Sequence, residues 1–409
     1  MKYAIVTFGC RVNQADSLQI EEGLRSHGAV PAAVEAADLV VVNTCSVTAT
    51  ADQGARQTIR RIARDNPAAR VVVTGCYASR RPDDVAALPN VVRIIRNDEK
   101  DRLPQLLGYG DGPCGAAIEP GVAGRTAFTL RVQTGCEERC SYCIIPTTRG
   151  ASRSEPVDAV VREVGRVVAA GFKEIVLTGV HLGSYGRDLE SPQSLVTLLR
   201  ALEAIEVDVT FRISSLEPMD CTPDIVALVA ASRGRFAPHF HLPLQHASDR
   251  LLRLMRRPYT IADYRGLIES IVVGMPHASI GTDVIAGFPG EQDEDFDETV
   301  GFLASSPLSH VHVFPYSERP GTAASAMAGK VHGSIVRDRS ARLRDVGRQL
   351  SERFRARQAG AVRPGLTLDD GTLVVTDNFV KVRIPAGLER NRRVDVRLTE
   401  AAATVLRVY

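Results

Sequence analysis

The first part of the chain alternates short apolar runs with amphipathic segments of helical period. Apolar runs typical of strands lie at residues 3–8, 39–43 and 71–74. Helix patterns follow them at residues 17–26, 51–65 and 82–87. Because each strand pattern is followed by a helix pattern, the strands are expected to be parallel, with helices on the faces of their sheet. We therefore predict a doubly wound α/β domain over residues 1–112.

The alternation stops at residues 108–113, which are rich in Gly and Pro, and then resumes over a longer span. We expect a linker at residues 113–125. Six strand patterns follow at residues 127–132, 174–177, 209–213, 239–244, 279–286 and 310–314. Helix patterns separate them, for example at residues 159–169, 194–204 and 294–303. Such units predict a partial (β/α)6 barrel over residues 126–357, with its active site at the carboxyl ends of the strands.

The last part of the chain changes character after a charged helix pattern at residues 338–357. Short strand patterns lie at residues 366–368, 372–376, 380–384, 394–398 and 404–408. Turns are predicted between them, where Asp369, Asp370 and Gly371 follow one another and where Gly387 follows Ala386. We predict a small all-β barrel over residues 358–409, so the whole chain is of the α/β class with an all-β appendage.

Composition is that of an ordinary soluble protein, with 44% hydrophobic and 24% charged residues and a net charge of +2. A nucleic-acid partner would therefore be bound by local basic patches such as the arginines of residues 56–64, 253–257 and 337–357. Apolar runs are too short to cross a bilayer, and the amino terminus lacks the pattern of a signal peptide. We expect a cytoplasmic protein without membrane contact.

Three of the eight cysteines, Cys136, Cys140 and Cys143, lie within eight residues, directly after a predicted strand. Three thiolates on one short loop can bind three irons of a [4Fe–4S] cluster and leave the fourth iron open. The alternative is a zinc site, which requires four ligands, and the nearest histidine, His181, is far along the chain. Disulfides are not expected in a cytosolic chain, and we interpret Cys114 and Cys221 as small buried residues.

Three further cysteines, Cys10, Cys45 and Cys76, each follow the carboxyl end of a predicted strand of the first domain. Adjacent strand ends of a doubly wound sheet open onto one crevice, so these thiols are expected to converge and to bind a second [4Fe–4S] cluster. Gly9 and Gly75 suit tight turns beside a bulky ligand. The alternative is that the three cysteines are unrelated core residues of an enzyme with a single cluster.

The C-x3-C-x2-C spacing, with Tyr142 before its last cysteine, resembles the radical S-adenosylmethionine superfamily. Nearly the whole chain resembles the methylthiotransferases. The resemblance rests on short sequence motifs at residues 43–45, 75–78, 143–146, 149–154, 214–218, 242–245 and 283–291. The branch that modifies N6-threonylcarbamoyladenosine in tRNA is favoured by residues 9–14, 45–49, 177–186, 313–317 and 319–322. The alternatives are the branches for isopentenyladenosine in tRNA and for a ribosomal-protein aspartate, or a non-catalytic, metal-stabilised RNA-binding protein.

The resemblance implies that S-adenosylmethionine binds the open iron of the barrel cluster and is cleaved to a 5′-deoxyadenosyl radical. The radical would abstract hydrogen from carbon 2 of the modified adenine beside the anticodon, and a methylthio group on the N-terminal cluster would be transferred there. The implied partners are the tRNA anticodon stem-loop, an electron donor such as flavodoxin or ferredoxin, and a sulfur donor. The tail would be a short TRAM-like RNA-binding domain.

Contacts to S-adenosylmethionine are expected from residues at the carboxyl ends of the barrel strands. The resemblance places the adenine near Tyr142 and the methionine part near Thr178 and Gly179, and it suggests contacts from Ser214, Glu217, Gln245 and Asp283. The alternative for each polar residue is a barrel side chain that is satisfied by the backbone. His246, Ala247 and Ser248 stand where the family has a small polar pair after the glutamine, so the chain departs from the pattern there.

Overall fold

The computed structural model describes residues 1–108, 118–121, 125–399 and 402–409. Most of the predicted linker at residues 113–125, and with it Cys114, lies outside the described residues. Within the described ranges, no helix is long and apolar enough to cross a membrane.

The N-terminal unit, residues 1–108, is a parallel five-stranded sheet of order β2-β1-β3-β4-β5, as predicted for a doubly wound domain. Its strands are β1 (Lys2–Thr7), β2 (Val30–Pro31), β3 (Leu39–Thr44), β4 (Arg70–Gly75) and β5 (Val91–Ile95). Its helices are α1 (Arg11–Ser26), α2 (Ala49–Asp65), α3 (Cys76–Arg80), α4 (Pro82–Ala86) and α5 (Leu103–Leu106).

The two faces of this sheet bury separate apolar cores. Val40 and Val42 of β3 face one core, whereas Leu39 and Val41 face the other, because successive side chains of a strand point to opposite faces. The edge strands β2 and β5 were not predicted. They are short, and most of their side chains are not buried, so neither has the continuous apolar run of the central strands.

The central part is an open barrel of six parallel strands, as predicted, with a small antiparallel pair beside the cysteine loop. The barrel strands are β6 (Phe128–Arg131), β9 (Glu174–Thr178), β10 (Thr210–Ile213), β11 (His239–His241), β12 (Ser279–Ala286) and β13 (His310–Pro315). The small pair consists of β7 (Gln133–Thr134) and β8 (Arg153–Ser154). Single bridges, including one from Ser215 to His241, join β10 to β11, so one curved sheet runs from β6 to β13.

Helices cover the outside of the barrel and bury its main apolar core. They are α6 (Ile145–Arg149), α7 (Val157–Ala169), α8 (Leu195–Ala204), α9 (Pro223–Ala231), α10 (Asp249–Leu254), α11 (Ile261–Gly274) and α12 (Asp293–Ser305). A long helix, α13 (Gly333–Gln358), leads to the C-terminal sheet. The C-terminal sheet is curled and antiparallel in the order β16-β15-β14-β17-β18, with strands β14 (Val362–Leu368), β15 (Leu373–Thr376), β16 (Lys381–Arg383), β17 (Arg393–Leu398) and β18 (Ala403–Val408).

The N-terminal unit closes the open side of the barrel. Helix α1 packs against β6 at one edge. At the other edge, beyond β13, the Ser317 hydroxyl accepts a hydrogen bond of 2.9 Å from the Ala49 amide, and Arg319 pairs with buried Asp52 at 2.9 Å. The interior of the barrel, which we call the lumen, is therefore bounded by six strands and by the N-terminal unit.

The C-terminal sheet docks at the amino ends of the barrel strands, away from the cysteines. Buried Arg212 of β10 donates to the carbonyl oxygen of Asp377 at 2.9 Å and stacks on the ring of Phe379. Phe379 also lies 4.5 Å, between ring centroids, from His239 at the start of β11. Phe379 therefore forms the floor of the lumen.

Removing this floor is expected to loosen the C-terminal sheet. We expect Phe379→Ala to lower the free energy of unfolding by about 2–3 kcal/mol, because a partly buried ring is lost. Thermal unfolding would measure the loss, and limited proteolysis would detect release of the sheet. Val362→Ala is the matched control, because Val362 belongs to the same sheet but is 46% exposed. Equal effects of the two substitutions would contradict a docking role for Phe379.

Candidate active site

The structure brings Cys10, Cys45 and Cys76 to one edge of the N-terminal sheet. They follow β1, β3 and β4, which are neighbours in the sheet and parallel. Gly9 adopts φ +90°, and a Cβ there would lie 2.5 Å from the Cys45 sulfur. The tight turns predicted at Gly9 and Gly75 are present, since both have positive φ. Cys45 and Cys76 are buried, whereas Cys10 is exposed.

A buried charge network supports this edge. The carboxylate of Asp16 accepts hydrogen bonds from Lys100, Arg131 and Arg149 at 2.8, 2.7 and 3.1 Å. Arg131 also pairs with Asp101, so three cations face two carboxylates, and only Asp16 is buried. The network therefore carries an excess of positive charge, which a set of thiolates would neutralise.

The thiols respond to their surroundings in different ways. Burial alone would raise the pKa of Cys76, but the charges of Arg149 and Lys100 outweigh it and lower that pKa. Burial raises the pKa of the Cys45 thiol to about 12 when no metal is bound. Asn97 donates to the Cys76 sulfur at 3.6 Å and to the Thr148 carbonyl oxygen at 2.8 Å, so it links this edge to the cysteine loop of the barrel.

The second set, Cys136, Cys140 and Cys143, lies on the loop between β7 and α6. The Cys140 sulfur accepts a hydrogen bond of 3.2 Å from Arg257, and the Cys143 sulfur accepts one of 3.5 Å from the Ile145 amide. Burial outweighs these donors, which lower the pKa of both thiols, so the pKa of Cys140 is raised and that of Cys143 is raised to about 12. All three cysteines of this loop are partly exposed.

Two residues beside this loop were missed by sequence reasoning. His181, although distant along the chain, contacts Cys136, and its other nitrogen lies 2.7 Å from Asp220. Burial alone would lower the pKa of His181, but the hydrogen bonds to Asp220 and Cys136 raise it to about 10. Arg257 was grouped with exposed arginines, yet it is buried and pairs with Glu217. Neither role has a local sequence signal.

The spacing of potential ligands bears on the zinc alternative. Sulfurs that share one tetrahedral zinc ion lie about 3.8 Å apart. Among the residues that the structure describes, the ligand atoms of His241, Asp283 and His312 all lie within 4.8 Å of one another. No cysteine in the described part of the chain belongs to a group that is this compact. Both cysteine triads are therefore wider than a single ion requires, and their donor chemistry fits an iron–sulfur cluster.

A cleft of about 180 Å³ lies between the N-terminal unit and the barrel. It is lined by Val47, Thr48, Tyr142, Gln245, Asp283, Ile285, Phe314, Pro315, Tyr316 and Ser317. Three of the expected cofactor contacts, Tyr142, Gln245 and Asp283, therefore face one space together with residues that follow Cys45. Gln245 adopts φ +71°, and its backbone hydrogen-bonds to that of Asp283, which fixes the rim of the cleft.

The other expected contacts lie outside this cleft lining. The hydroxyls of Ser214 and Thr178 hydrogen-bond to each other at 3.3 Å on adjacent strands. Gly179 packs closely against Gln133, and Glu217 holds Arg257 beside Cys140. Cys221 is buried in the barrel core, as predicted.

Two family models match the chain. One, described as uncharacterized protein family UPF0004, matches residues 2–96. The other, the radical SAM superfamily, matches residues 130–303. The first match contains Cys10, Cys45 and Cys76, and the second contains the barrel triad.

Curated relatives cover most of the chain. A threonylcarbamoyladenosine tRNA methylthiotransferase of Aquifex aeolicus is 36% identical over 399 residues, which cover 94% of this chain and 96% of the relative. A tRNA-2-methylthio-N(6)-dimethylallyladenosine synthase of Pelotomaculum thermopropionicum is 34% identical over 359 residues, covering 83% and 80%. Among solved structures, a radical S-adenosylmethionine methyltransferase of Kitasatospora setae with cobalamin and a [4Fe-4S] cluster bound superposes with a TM-score of 0.57 and 16% identity, covering 79% of this chain and 76% of that chain. At this identity the likeness shows the fold alone.

Proposed function

Because this chain belongs to the methylthiotransferase family of radical S-adenosylmethionine enzymes, we propose that it adds a methylthio group to carbon 2 of N6-threonylcarbamoyladenosine beside the anticodon of tRNA. The observation that carries the proposal is one cleft whose lining includes near neighbours of both cysteine triads, namely Val47 and Thr48 after Cys45 and Tyr142 before Cys143. Relatives named for this nucleoside, at 32–36% identity over most of the chain, support the substrate.

In this proposal, Cys136, Cys140 and Cys143 hold a [4Fe–4S] cluster with one open iron, to which S-adenosylmethionine binds. When bound, the cluster and this cofactor supply the 5′-deoxyadenosyl radical. Arg257 neutralises the charge at Cys140, and His181 donates to Cys136. Tyr142 packs edge-on against Phe288 at 6.4 Å between ring centroids, which gives the adenine a rigid apolar wall.

We propose that Cys10, Cys45 and Cys76 hold a second [4Fe–4S] cluster, which carries the sulfur to be transferred. The excess positive charge around Asp16 supports an anionic group there. Gly9 leaves room for the Cys45 sulfur, which a side chain would displace. A sulfur donor, a second S-adenosylmethionine that would supply the methyl group, and a reductant such as flavodoxin or ferredoxin complete the reaction.

We propose domains over residues 1–112, 126–357 and 358–409, the last a TRAM-like RNA-binding module. The C-terminal sheet lies at the opposite end of the barrel from the cysteines, so it would contact the tRNA away from the modified base. Arginines nearer the cysteines, such as partly exposed Arg56 over Tyr77 and exposed Arg253, offer phosphate contacts at the anticodon loop.

Nucleoside mass spectrometry of tRNA from a strain that lacks this protein tests the proposal. We expect 2-methylthio-N6-threonylcarbamoyladenosine to disappear and its unthiolated precursor to accumulate. Return of the wild-type gene should restore the product, whereas return of a Cys45→Ala gene should not. An unchanged amount of this nucleoside, with loss of the methylthiolated isopentenyl nucleoside or of the modified ribosomal aspartate, would instead assign the chain to another branch.

A further inference from the structure

The lumen contains more charged and titratable side chains than a packed barrel core requires. Inward-facing residues of four strands are Glu174 of β9, Arg212 of β10, His239 and His241 of β11, and His310 and His312 of β13. The expected cofactor contacts account for none of these six. They lie between the cleft above and the Phe379 floor below.

The floor itself is electrically neutral. His239 and His310 stack against each other and against Phe379. Burial lowers the pKa of His310 to about 3 and holds that of His239 well below its ordinary value. Both rings are therefore uncharged at neutral pH and provide a flat polar surface.

The carboxylates of the lumen already have partners. Glu174 makes two hydrogen bonds of 3.0 Å with the guanidinium of Arg212. Asp283 lies 3.1 Å from the nitrogens of both His241 and His312. Neither acid is left to neutralise a further cation.

Arg11 is a further cation at the lumen, beyond those that pair with Glu174 and Asp283. It follows Cys10, begins α1 and is partly buried, and its interactions with charged side chains of the barrel strands place it at the lumen. Its charge acts on residues of four barrel strands, namely Glu174, Arg212, His239 and His312. Yet within the part of the chain that the structure describes, no hydrogen bond or ion pair involves the Arg11 guanidinium.

A partly buried guanidinium without a partner is costly, and it is the group that best binds a carboxylate through two parallel hydrogen bonds. We propose that Arg11 binds the free carboxylate of the threonyl tail of the substrate base and is thereby a specificity-determining residue. The inference rests on the proposed function. Carbon 2 and the N6 tail belong to one modified adenine. The adjacent residues Cys10 and Arg11 can therefore act on the two parts of that base, Cys10 on the side of carbon 2 and Arg11 at the tail.

A carboxylate-binding Arg11 affects substrate choice. An isopentenyl tail is apolar and would leave Arg11 desolvated and unpaired, which disfavours its binding. A threonylcarbamoyl tail would fill the same space and neutralise the cation. The alternative role for Arg11 is to balance charge at the neighbouring Cys10, and the experiment must separate the two.

The experiment compares wild-type holoenzyme with Arg11→Met, Arg11→Lys and Arg25→Met on two anticodon stem-loop RNAs, and it also tests the wild type on an isopentenyladenosine stem-loop. One RNA carries N6-threonylcarbamoyladenosine. The other carries the same group built on 1-amino-2-propanol, which keeps the hydroxyl and lacks the carboxylate. Arg25 is the matched control, because it is an arginine of the last turn of the same helix. The readouts are kcat/KM, RNA affinity, iron per chain and RNA-free cleavage of S-adenosylmethionine.

We expect Arg11→Met to lower kcat/KM on the threonylcarbamoyl RNA by about 100-fold, with weaker RNA binding, unchanged iron and unchanged RNA-free cleavage. The kcat/KM of the wild type should be lower by the same factor on the RNA without the carboxylate than on the threonylcarbamoyl RNA. On the RNA without the carboxylate, Arg11→Met should have the same kcat/KM as the wild type. Arg11→Lys should recover part of the activity, and Arg25→Met should resemble the wild type.

Equal losses of Arg11→Met on both RNAs, or a loss of iron, would overturn the proposal and assign Arg11 to the cysteine site. A wild-type enzyme that modifies isopentenyl RNA and neither of these two RNAs would instead overturn the proposed function itself.

Discussion

Replacing Cys45 by alanine is expected to abolish methylthiolation, by at least about 1,000-fold, while S-adenosylmethionine is still cleaved. Cys45 is a buried thiol that directly follows β3, the strand between those that precede Cys10 and Cys76, so its loss would remove the central proposed ligand of the N-terminal set. Iron should fall from about eight to about four atoms per chain if each triad holds one [4Fe–4S] cluster. Reconstituted enzyme, iron analysis and detection of 5′-deoxyadenosine provide the three measurements.

Two control variants make this result specific. Cys140→Ala should abolish both cleavage and methylthiolation, because its sulfur belongs to the barrel triad. Cys221→Ala should change neither, since Cys221 is as deeply buried as Cys45, at 4% exposure each, but lies in the barrel core. Unchanged iron and full methylthiolation in Cys45→Ala would show that the N-terminal cysteines are core residues of a single-cluster enzyme.

Asp16→Asn is expected to lower the free energy of unfolding by about 3–5 kcal/mol, because it leaves three buried cations without their shared carboxylate. Asp16 is fully buried and is the group through which Lys100 of the N-terminal unit meets Arg131 and Arg149 of the barrel. Urea unfolding at neutral pH would measure the change. We also expect the contact between α1 and β6 to loosen, which hydrogen exchange would detect.

The matched control is Asp101→Asn. Asp101 pairs with the same Arg131 at 2.9 Å, but its side chain is 58% exposed, so its loss should cost at most about 1 kcal/mol. If both substitutions lower the free energy of unfolding by the same amount, burial of the network is not what makes it stabilising.

The same network predicts a pH dependence. Burial alone would raise the pKa of Asp16, but Lys100, Arg149 and Arg131 lower it well below its ordinary value. A carboxylate with a lowered folded pKa stabilises the fold above its unfolded pKa of about 3.9, and this stabilisation is lost as the pH falls through the folded pKa. Stability of the wild type should therefore fall on acidification below about pH 4, and Asp16→Asn should lack that part of the fall.

The sequence by itself determined the elements and the two cysteine sets. Because the apolar spacing of a buried strand or helix is local, periodicity placed the central strands and the helices that it predicted, although it began α1 and α13 several residues late. The C-x3-C-x2-C spacing brought three thiols together on one loop regardless of the rest of the fold. Even the convergence of Cys10, Cys45 and Cys76 followed from sequence, since the carboxyl ends of parallel strands share one edge.

Only the tertiary structure decided which groups surround those cysteines. His181 and Arg257 reach Cys136 and Cys140 from distant parts of the chain, and Arg257 cannot be told by sequence from its exposed neighbours. The buried network around Asp16, and the position of Arg11 without a partner among the described residues, arise because the N-terminal unit closes the open side of the barrel. Such contacts depend on how separate units dock, and no local periodicity encodes that geometry.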